Sequence, residues 1–209
     1  MNNLLDRYAP IRLFVTDVDG VLTDGGMYYS EEGDEMKKFN VRDGVGVALL
    51  KAAGILVGAI TGETRDLVGR RMRKMGMDFV CMGVRDKAEA LKTCLHRLNL
   101  SPQQVAYLGD EINDLPLIGQ VGVFFSVVDG ADEITRVADH ILRSHGGQGA
   151  LREAAFVILR GKGALEKALD SYLCALQSRD GRSESRFENL REGVNTGRES
   201  HDEQTRKPQ

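Results

Sequence analysis

Short, uninterrupted apolar runs alternate along the chain with longer segments of helical period. The runs are Ile11–Thr16, Ile55–Ile60, Phe79–Met82, Val105–Leu108 and Val121–Phe125. Apolar residues at consecutive positions, bounded by turn residues, mark strands covered on both faces. Between them, residues near Val45–Ala53, Arg65–Met75, Lys87–Leu98 and Ile112–Ile118 have the spacing of helices. "SPQQ" adds a helix start, with Ser101 as N-cap and Pro102 at the first helical position. The alternation predicts an α/β fold, a doubly wound (Rossmann-like) parallel sheet with helices on both faces.

Two segments depart from this pattern. In "MYYSEEGDEMKKFN", two short β-like pieces flank Glu31-Glu32-Gly33-Asp34, which predicts a β-hairpin over about residues 25–40. It follows the first strand directly and so projects from that strand's C-terminal edge. Having little core of its own, it calls for a partner, expected to be another subunit. After Arg160, Leu165, Leu169, Tyr172, Leu173 and Leu176 fall on one face of an amphipathic helix. From Gln177 to the end, Phe187, Leu190 and Val194 are the only sizeable apolar residues, too few to offset the entropy of ordering. The expected organisation is an N-terminal arm over 1–10, one domain over 11–176 and a flexible tail over 177–209.

Composition narrows the function classes. A chain of 209 residues with 42% hydrophobic and 28% charged residues suits one α/β domain with a proper core. A net charge of −3 gives no bulk attraction to nucleic acid, and no apolar run approaches the length of a membrane span. Cys81, Cys94 and Cys174 are odd in number and lack CxxC spacing, so buried free thiols are expected rather than a zinc site or disulfide framework. With "MNNLLDRYAP" too short and polar for a signal peptide, a cytoplasmic protein is expected.

The candidate chemistry gathers at strand ends. "FVTDVDGVLTDGG" carries the first apolar run into Asp17 and Asp19, at positions i and i+2 of an extended chain, so both carboxylates point the same way. Ligands of open α/β sheets bind outside the carboxyl ends of the strands. Two convergent carboxylates are tolerable when a cation lies between them or one holds a proton, and both solutions serve catalysis. Asp24 belongs to the following turn. The second run ends in "AITGETR", where Thr61-Gly62 leads into a helix whose free N–H groups suit phosphate. Lys87 opens a helix, and the fourth run ends in "YLGDEINDL" with Asp110, Glu111 and Asp114. Any one of these acids could simply cap a helix. Four strand ends supplying carboxylates, a hydroxyl, a lysine and more carboxylates point together to a site.

"DVDGVLTDG", "TGE", "DK" and "GDEIND" resemble motifs one to four of the haloacid dehalogenase superfamily, in order, over roughly Ile11 to Arg160. More narrowly, "DVDGVLTDG", "FNVRDGVGV", "VAYLGDEINDLPLI" and "GGQGALRE" resemble 3-deoxy-D-manno-octulosonate 8-phosphate phosphatases and the related phosphatases of nine-carbon ulosonate (KDN and N-acylneuraminate) 9-phosphates. Members lack a large cap domain; the hairpin takes that part within a homotetramer. The resemblance implies that Asp17 is the nucleophile, forming an aspartyl-phosphate, and that Asp19 is the acid/base. It implies Mg²⁺ held by the Asp17 carboxylate, the Asp19 backbone carbonyl and Asp110. Thr61 and the Gly62 N–H bind phosphate, Lys87 neutralises charge, and Asp114 orients Lys87 or metal-bound water. Glu111 stands where the family carries aspartate.

The substrate signature is mixed. Octulosonate enzymes usually carry arginine where this chain has Glu63, and Glu63 with Arg71 and Lys74 resembles the nine-carbon enzymes. Val41 and Arg42 in "FNVRDG" resemble the octulosonate type, which is the leading reading. Glu63 is also an acid favoured at a helix start. By resemblance Arg152 lies near the mouth of the site, able to contact a carboxylate. Two other readings stay open: a broad small-molecule phosphatase, and an inactive partner subunit of a cytidylyltransferase. Asp17, Asp19, Lys87 and Asp110 are all present, as an active enzyme requires.

Overall fold

The computed structural model describes residues 4–33 and 35–180. Strand β1 (Leu13–Thr16) is buried along its whole length and lies at the centre of a six-stranded parallel sheet. On one side it pairs with β4 (Leu56–Ile60), which pairs with β5 (Phe79–Cys81) at the edge. On the other it pairs with β6 (Val105–Gly109), followed by β7 (Val123–Ser126) and β8 (His140–Ile141). The register sets Thr16 beside both Ala59 and Leu108, so β1, β4 and β6 end level with one another. The chain runs outward from β1 through β4 to β5, then crosses to β6 on the opposite side. That reversal is the switch point at which open α/β sheets bind ligands.

Side chains of β1 alternate between two cores, which explains its unbroken apolar run. Phe14 enters one with Val57, Ala106 and Phe125, beneath α2 (Arg42–Ala52), α3 (Asp66–Met75), α6 (Ala150–Gly161) and α7 (Leu165–Asp180). Leu13 and Val15 enter the other with Ile60, Tyr107 and Phe124, beneath α4 (Lys87–Leu98) and α5 (Asp132–Thr135). Gly46 of α2 meets α6 so closely that a Cβ there would lie 2.7 Å from the Arg152 Cα. The same junction holds a buried carboxylate. Asp43 Oδ1 accepts the Arg152 N–H at 3.2 Å, tying the start of α2 to the start of α6.

The expected hairpin forms as β2 (Tyr28–Tyr29) and β3 (Glu35–Met36), antiparallel, with Tyr28 opposite Met36. A bridge between Thr23 and Phe39 closes its base. The helix expected near Ile112–Ile118 is instead a 3₁₀ segment, Ile112–Leu117, because Pro116 inside it has no N–H for an α-helical bond. The helix start at Ser101 is likewise a short 3₁₀ turn, Pro102–Gln104, with the Gln104 side chain accepting the Ser101 N–H at 2.9 Å. The cysteines are corrected in part: Cys81 and Cys94 are half-buried, their sulfurs 3.6 Å apart, while Cys174 is exposed.

The first ten residues include α1 (Leu4–Tyr8), whose Tyr8 stacks on Phe125 and lies 3.1 Å from His140 Nδ1. Residues through Cys174 form one unit, and Ala175 begins a second. The tail expected for 177–209 lies, from residue 181 onward, outside the described residues. No helix among the described residues is long and apolar enough to cross a membrane.

Burial of Asp43 lifts its carboxyl to about 6, against hydrogen bonds from Arg152 and Leu151 and the charge of Arg71. A carboxyl raised on folding favours the folded state while protonated, and that advantage is lost as pH rises from the unfolded value of 3.8 to about 6. Asp43→Asn should therefore gain stability relative to the wild type over this interval, by up to about 3 kcal/mol. Urea unfolding of both proteins at several pH values measures the difference, which should be flat if Asp43 is not the source.

Candidate active site

The level ends of β1, β4 and β6 place Asp17, Thr61 and Asp110 around one cavity of roughly 490 Å³. Asp19, Gly62, Glu63 and Glu111 also line it. Asp17 follows the last residue of β1, and its N–H donates to Leu108 O at 2.9 Å, which extends the strand pairing through Asp17. Gly20 has φ +84°, and a Cβ there would fall 2.0 Å from Asp110 Oδ2. Glycine is required twice at that turn, for conformation and for room.

Lys87 is the centre of the inner site. Asp86 caps α4, its Oδ1 accepting the Glu89 N–H at 3.0 Å, so that Lys87 opens the helix. The Lys87 side chain is 2% exposed, with Nζ 2.7 Å from Asp114 Oδ1 and 3.1 Å from Asp17 Oδ1. Asp114 Oδ1 also accepts the Tyr107 hydroxyl at 2.7 Å, and its Oδ2 accepts the Asp110 N–H at 3.2 Å. Asp114 thus holds the lysine and fixes the backbone that carries Asp110. Burial works against the charge on Lys87, and Asp17 and Asp114 overcome it, raising its pKa.

The carboxylates are more numerous than the cations beside them. Burial raises Asp17 to about 6 despite Lys87, with Asp114 adding to the rise. Burial and the charges of Asp17 and Asp114 push Asp110 to about 8. Oxygens of Asp17, Asp110 and Asp114 lie within 4.8 Å of one another, and Asp110 Oδ1 is buried without a hydrogen-bond partner. An all-oxygen donor set with an orphaned, buried carboxylate oxygen fits a hard divalent cation.

Lys37, near the end of the hairpin, was not among the residues the sequence singled out. Its side chain is 2% exposed and reaches into the cavity, with Nζ 2.8 Å from Asp19 Oδ1 and 2.6 Å from Glu63 Oε2. Burial opposes its charge, but the hydrogen bonds to Asp19 and Glu63 prevail and raise its pKa. The paired aspartates therefore face different lysines: Asp17 faces Lys87, and Asp19, with its side chain 38% exposed, faces Lys37. Glu63 also accepts the N–H groups of Thr64 and Arg65 at the start of α3. Thr61 Oγ1 accepts the Glu63 N–H at 3.0 Å, leaving its own proton free to donate.

Other expected residues sit elsewhere. Glu111 lines the cavity, but its Oε1 accepts the Ile112 N–H at 2.7 Å and caps the 3₁₀ segment. Arg71 donates to Asn40 O at 2.7 Å and packs over Phe39, Lys74 is exposed in the last turn of α3, and Arg152 lines a separate cavity. None of these three lines the cavity of Asp17 within the single chain. Asp24 pairs with Lys38 at the hairpin base, consistent with a turn residue.

A carboxylate nucleophile, a second carboxylate beside it, a buried ammonium and a phosphate-binding turn are the parts needed for phosphoryl transfer through a covalent intermediate. The family profile of haloacid dehalogenase-like hydrolases matches residues 71–153. The chain is 39% identical over 167 residues to the 3-deoxy-D-manno-octulosonate 8-phosphate phosphatase KdsC of Yersinia pestis, covering 80% of this chain and 89% of the relative. It is 39% identical over 166 residues to the protein of the same name from Escherichia coli K12, covering 79% and 88%. Among solved structures, the 3-deoxy-D-manno-octulosonate 8-phosphate phosphatase of Moraxella catarrhalis, in complex with magnesium, phosphate and KDO, matches with a TM-score of 0.78 at 35% identity, over 82% of this chain and 99% of that one. With the catalytic parts in place at the switch point, the chain belongs to the 3-deoxy-D-manno-octulosonate 8-phosphate phosphatase family of haloacid dehalogenase-like hydrolases, and is a phosphoric monoester hydrolase.

Proposed function

We propose that this chain is a Mg²⁺-dependent phosphatase that hydrolyses 3-deoxy-D-manno-octulosonate 8-phosphate through an aspartyl-phosphate on Asp17. The observation that carries the reading is the buried Asp17 carboxylate at the end of β1, 3.1 Å from Lys87 and clustered with the unsatisfied Asp110. Asp17 attacks phosphorus as the bond to the sugar oxygen breaks, and Asp19 gives its proton to the departing alkoxide. Asp19 then takes a proton from water as the water oxygen attacks phosphorus, which releases phosphate and restores Asp17. The Thr61 hydroxyl, the Gly62 N–H and Lys87 hold the charge of the transferring group. Mg²⁺, held by the Asp17 and Asp110 carboxylates and the Asp19 carbonyl, would supply the charge that lets an anionic nucleophile approach an anionic ester.

Lys37 acts as a positioning residue. It holds Asp19 over the leaving-group side of the cavity and is itself held by Glu63. Glu63 therefore has two partners within the chain, Lys37 and the start of α3, and its acidity needs no nine-carbon substrate to explain it. The names of the relatives support the eight-carbon sugar acid. Met27, Tyr28, Tyr29 and Met36 leave the hairpin with exposed apolar surface, which supports a homotetramer in which it covers a neighbouring subunit. A cytoplasmic setting suits three free thiols.

Asp17→Asn should lower turnover by roughly three orders of magnitude or more while circular dichroism stays unchanged. Near-normal turnover would remove Asp17 as the nucleophile. Steady-state kinetics with the eight-carbon 8-phosphate and KDN 9-phosphate side by side should give the higher kcat/KM for the former; the reverse order assigns the enzyme to nine-carbon substrates. Lys37→Met should cost about 10- to 100-fold in kcat/KM on the sugar phosphate, yet under about threefold on 4-nitrophenyl phosphate, whose leaving group departs without protonation. Equal losses on both would show that Lys37 does not act through Asp19.

A further inference from the structure

A second cavity, also of roughly 490 Å³, shares no lining residue with the active site. Arg42 from the start of α2, Arg143 from the segment after β8, and Arg152 and Arg160 from α6 all line it. In a chain of net charge −3, four guanidinium groups around one cavity are a local concentration that overall composition does not explain. Among the described residues, no hydrogen bond or ion pair engages any of the four guanidinium groups. Among the described residues Glu153 is the one carboxylate lining the cavity. Its oxygens accept the Arg143 and Ser144 N–H groups at 3.0 and 2.8 Å, and its charge, stabilised in part by Arg143, sets one negative charge against four positive.

The array is partly held in place, and its charge is offset only in part, by Glu153. The Arg152 guanidinium lies 4.5 Å from the centre of the Phe156 ring, and that of Arg160 lies 5.9 Å from the same ring. Cation–π contact orients a guanidinium but leaves its full charge and its donor fork available. Unpaired like charges held together repel one another, and a multiply charged anion removes that repulsion. Arginine forks match the oxygens of phosphate bidentately. The volume admits a small molecule.

We propose that this cavity is a second anion site, which binds a small molecule carrying two or more phosphate charges, apart from the catalytic centre. The phosphates would lie among the four guanidinium groups. Phe156 and Val157 offer an apolar wall to any organic part. A nucleotide and a bare phosphate chain share this chemistry, and the two can be told apart.

Isothermal titration of the full chain with tripolyphosphate and with ATP, free of divalent metal, tests the proposal. Without a cation the carboxylate-rich catalytic cavity repels both probes, so the heat reports the arginine cavity. Both should bind the wild type, more weakly as salt rises, and the Arg143→Ala/Arg160→Ala double variant should bind at least about tenfold more weakly. Its turnover of 4-nitrophenyl phosphate should match the wild type, which verifies the fold. Tighter binding of ATP than of tripolyphosphate assigns a nucleoside to the Phe156 wall; equal binding assigns the phosphate chain alone. Equal affinities of wild type and variant for both probes overturn the proposal. So does failure of both probes to bind the wild type, and a shift of the variant's mass in light scattering would then mark the arginines as an interface between copies.

Discussion

The whole site depends on one buried ammonium. Lys87 lies between Asp17 and Asp114, almost without solvent, and through Asp114 the same triad fixes the backbone of Asp110. Desolvating three charges is costly, and the attraction among them compensates only when the geometry is tight and the remaining lone pairs are satisfied. Asp114 meets that condition with Tyr107 and the Asp110 N–H, so the acid that holds the lysine also shapes the turn after β6. Asp17 meets it less fully. Its raised pKa shows what its position costs in the absence of further positive charge. A carboxylate kept poorly compensated is a better nucleophile than one locked in a complete salt bridge. The fold supplies enough charge to hold Asp17 in place without fully compensating it.

The same imbalance explains why a cation belongs here. Asp17, Asp19, Glu63, Asp110 and Glu111 line the cavity, with Asp114 beside them, and Lys37 and Lys87 are the lysines that pair with them. Glu111 is exposed enough for water to solvate it, and Glu63 and Asp19 share Lys37. Asp110 Oδ1 is buried and unmatched. Gly20 makes room for that carboxylate rather than for a side chain that would shield it. A hydrogen-bond donor in place of the cation would satisfy Asp110 but would bring no net charge against the incoming phosphate.

Much of this was legible in the sequence, for identifiable reasons. Strands buried on both faces leave unbroken apolar runs, so β1, β4 and β6 could be placed, and with them Asp17, Thr61 and Asp110 at their ends. Lys87 was legible because a helix opens on it. Lys37 was not, since "MKKF" offers two lysines on a short β-like piece, and parity decides which one turns inward. The structure sends Lys37 to Asp19 and Lys38 to Asp24 on the outside. Pairing within the hairpin, which the sequence does not specify, sets that parity. α1 and β8 are too short to show a period, and the four arginines of the second cavity come from three separated segments.

Lys37 gives the hairpin a fixed attachment within its own chain. A lid that merely excluded water could be replaced by any apolar flap, and its residues would not need to touch a carboxylate of the cavity. Here Lys37 ties the hairpin to Asp19, and Glu63 ties both to the start of α3. Because β2 and β3 contribute only two residues each, the hairpin has little pairing of its own to keep Lys37 in register. The Thr23–Phe39 bridge and the ion pairs to Asp19 and Glu63 must supply it. Order in the hairpin and order in the Asp19 side chain are then the same event. Anything that steadies the hairpin also steadies the Asp19 carboxylate.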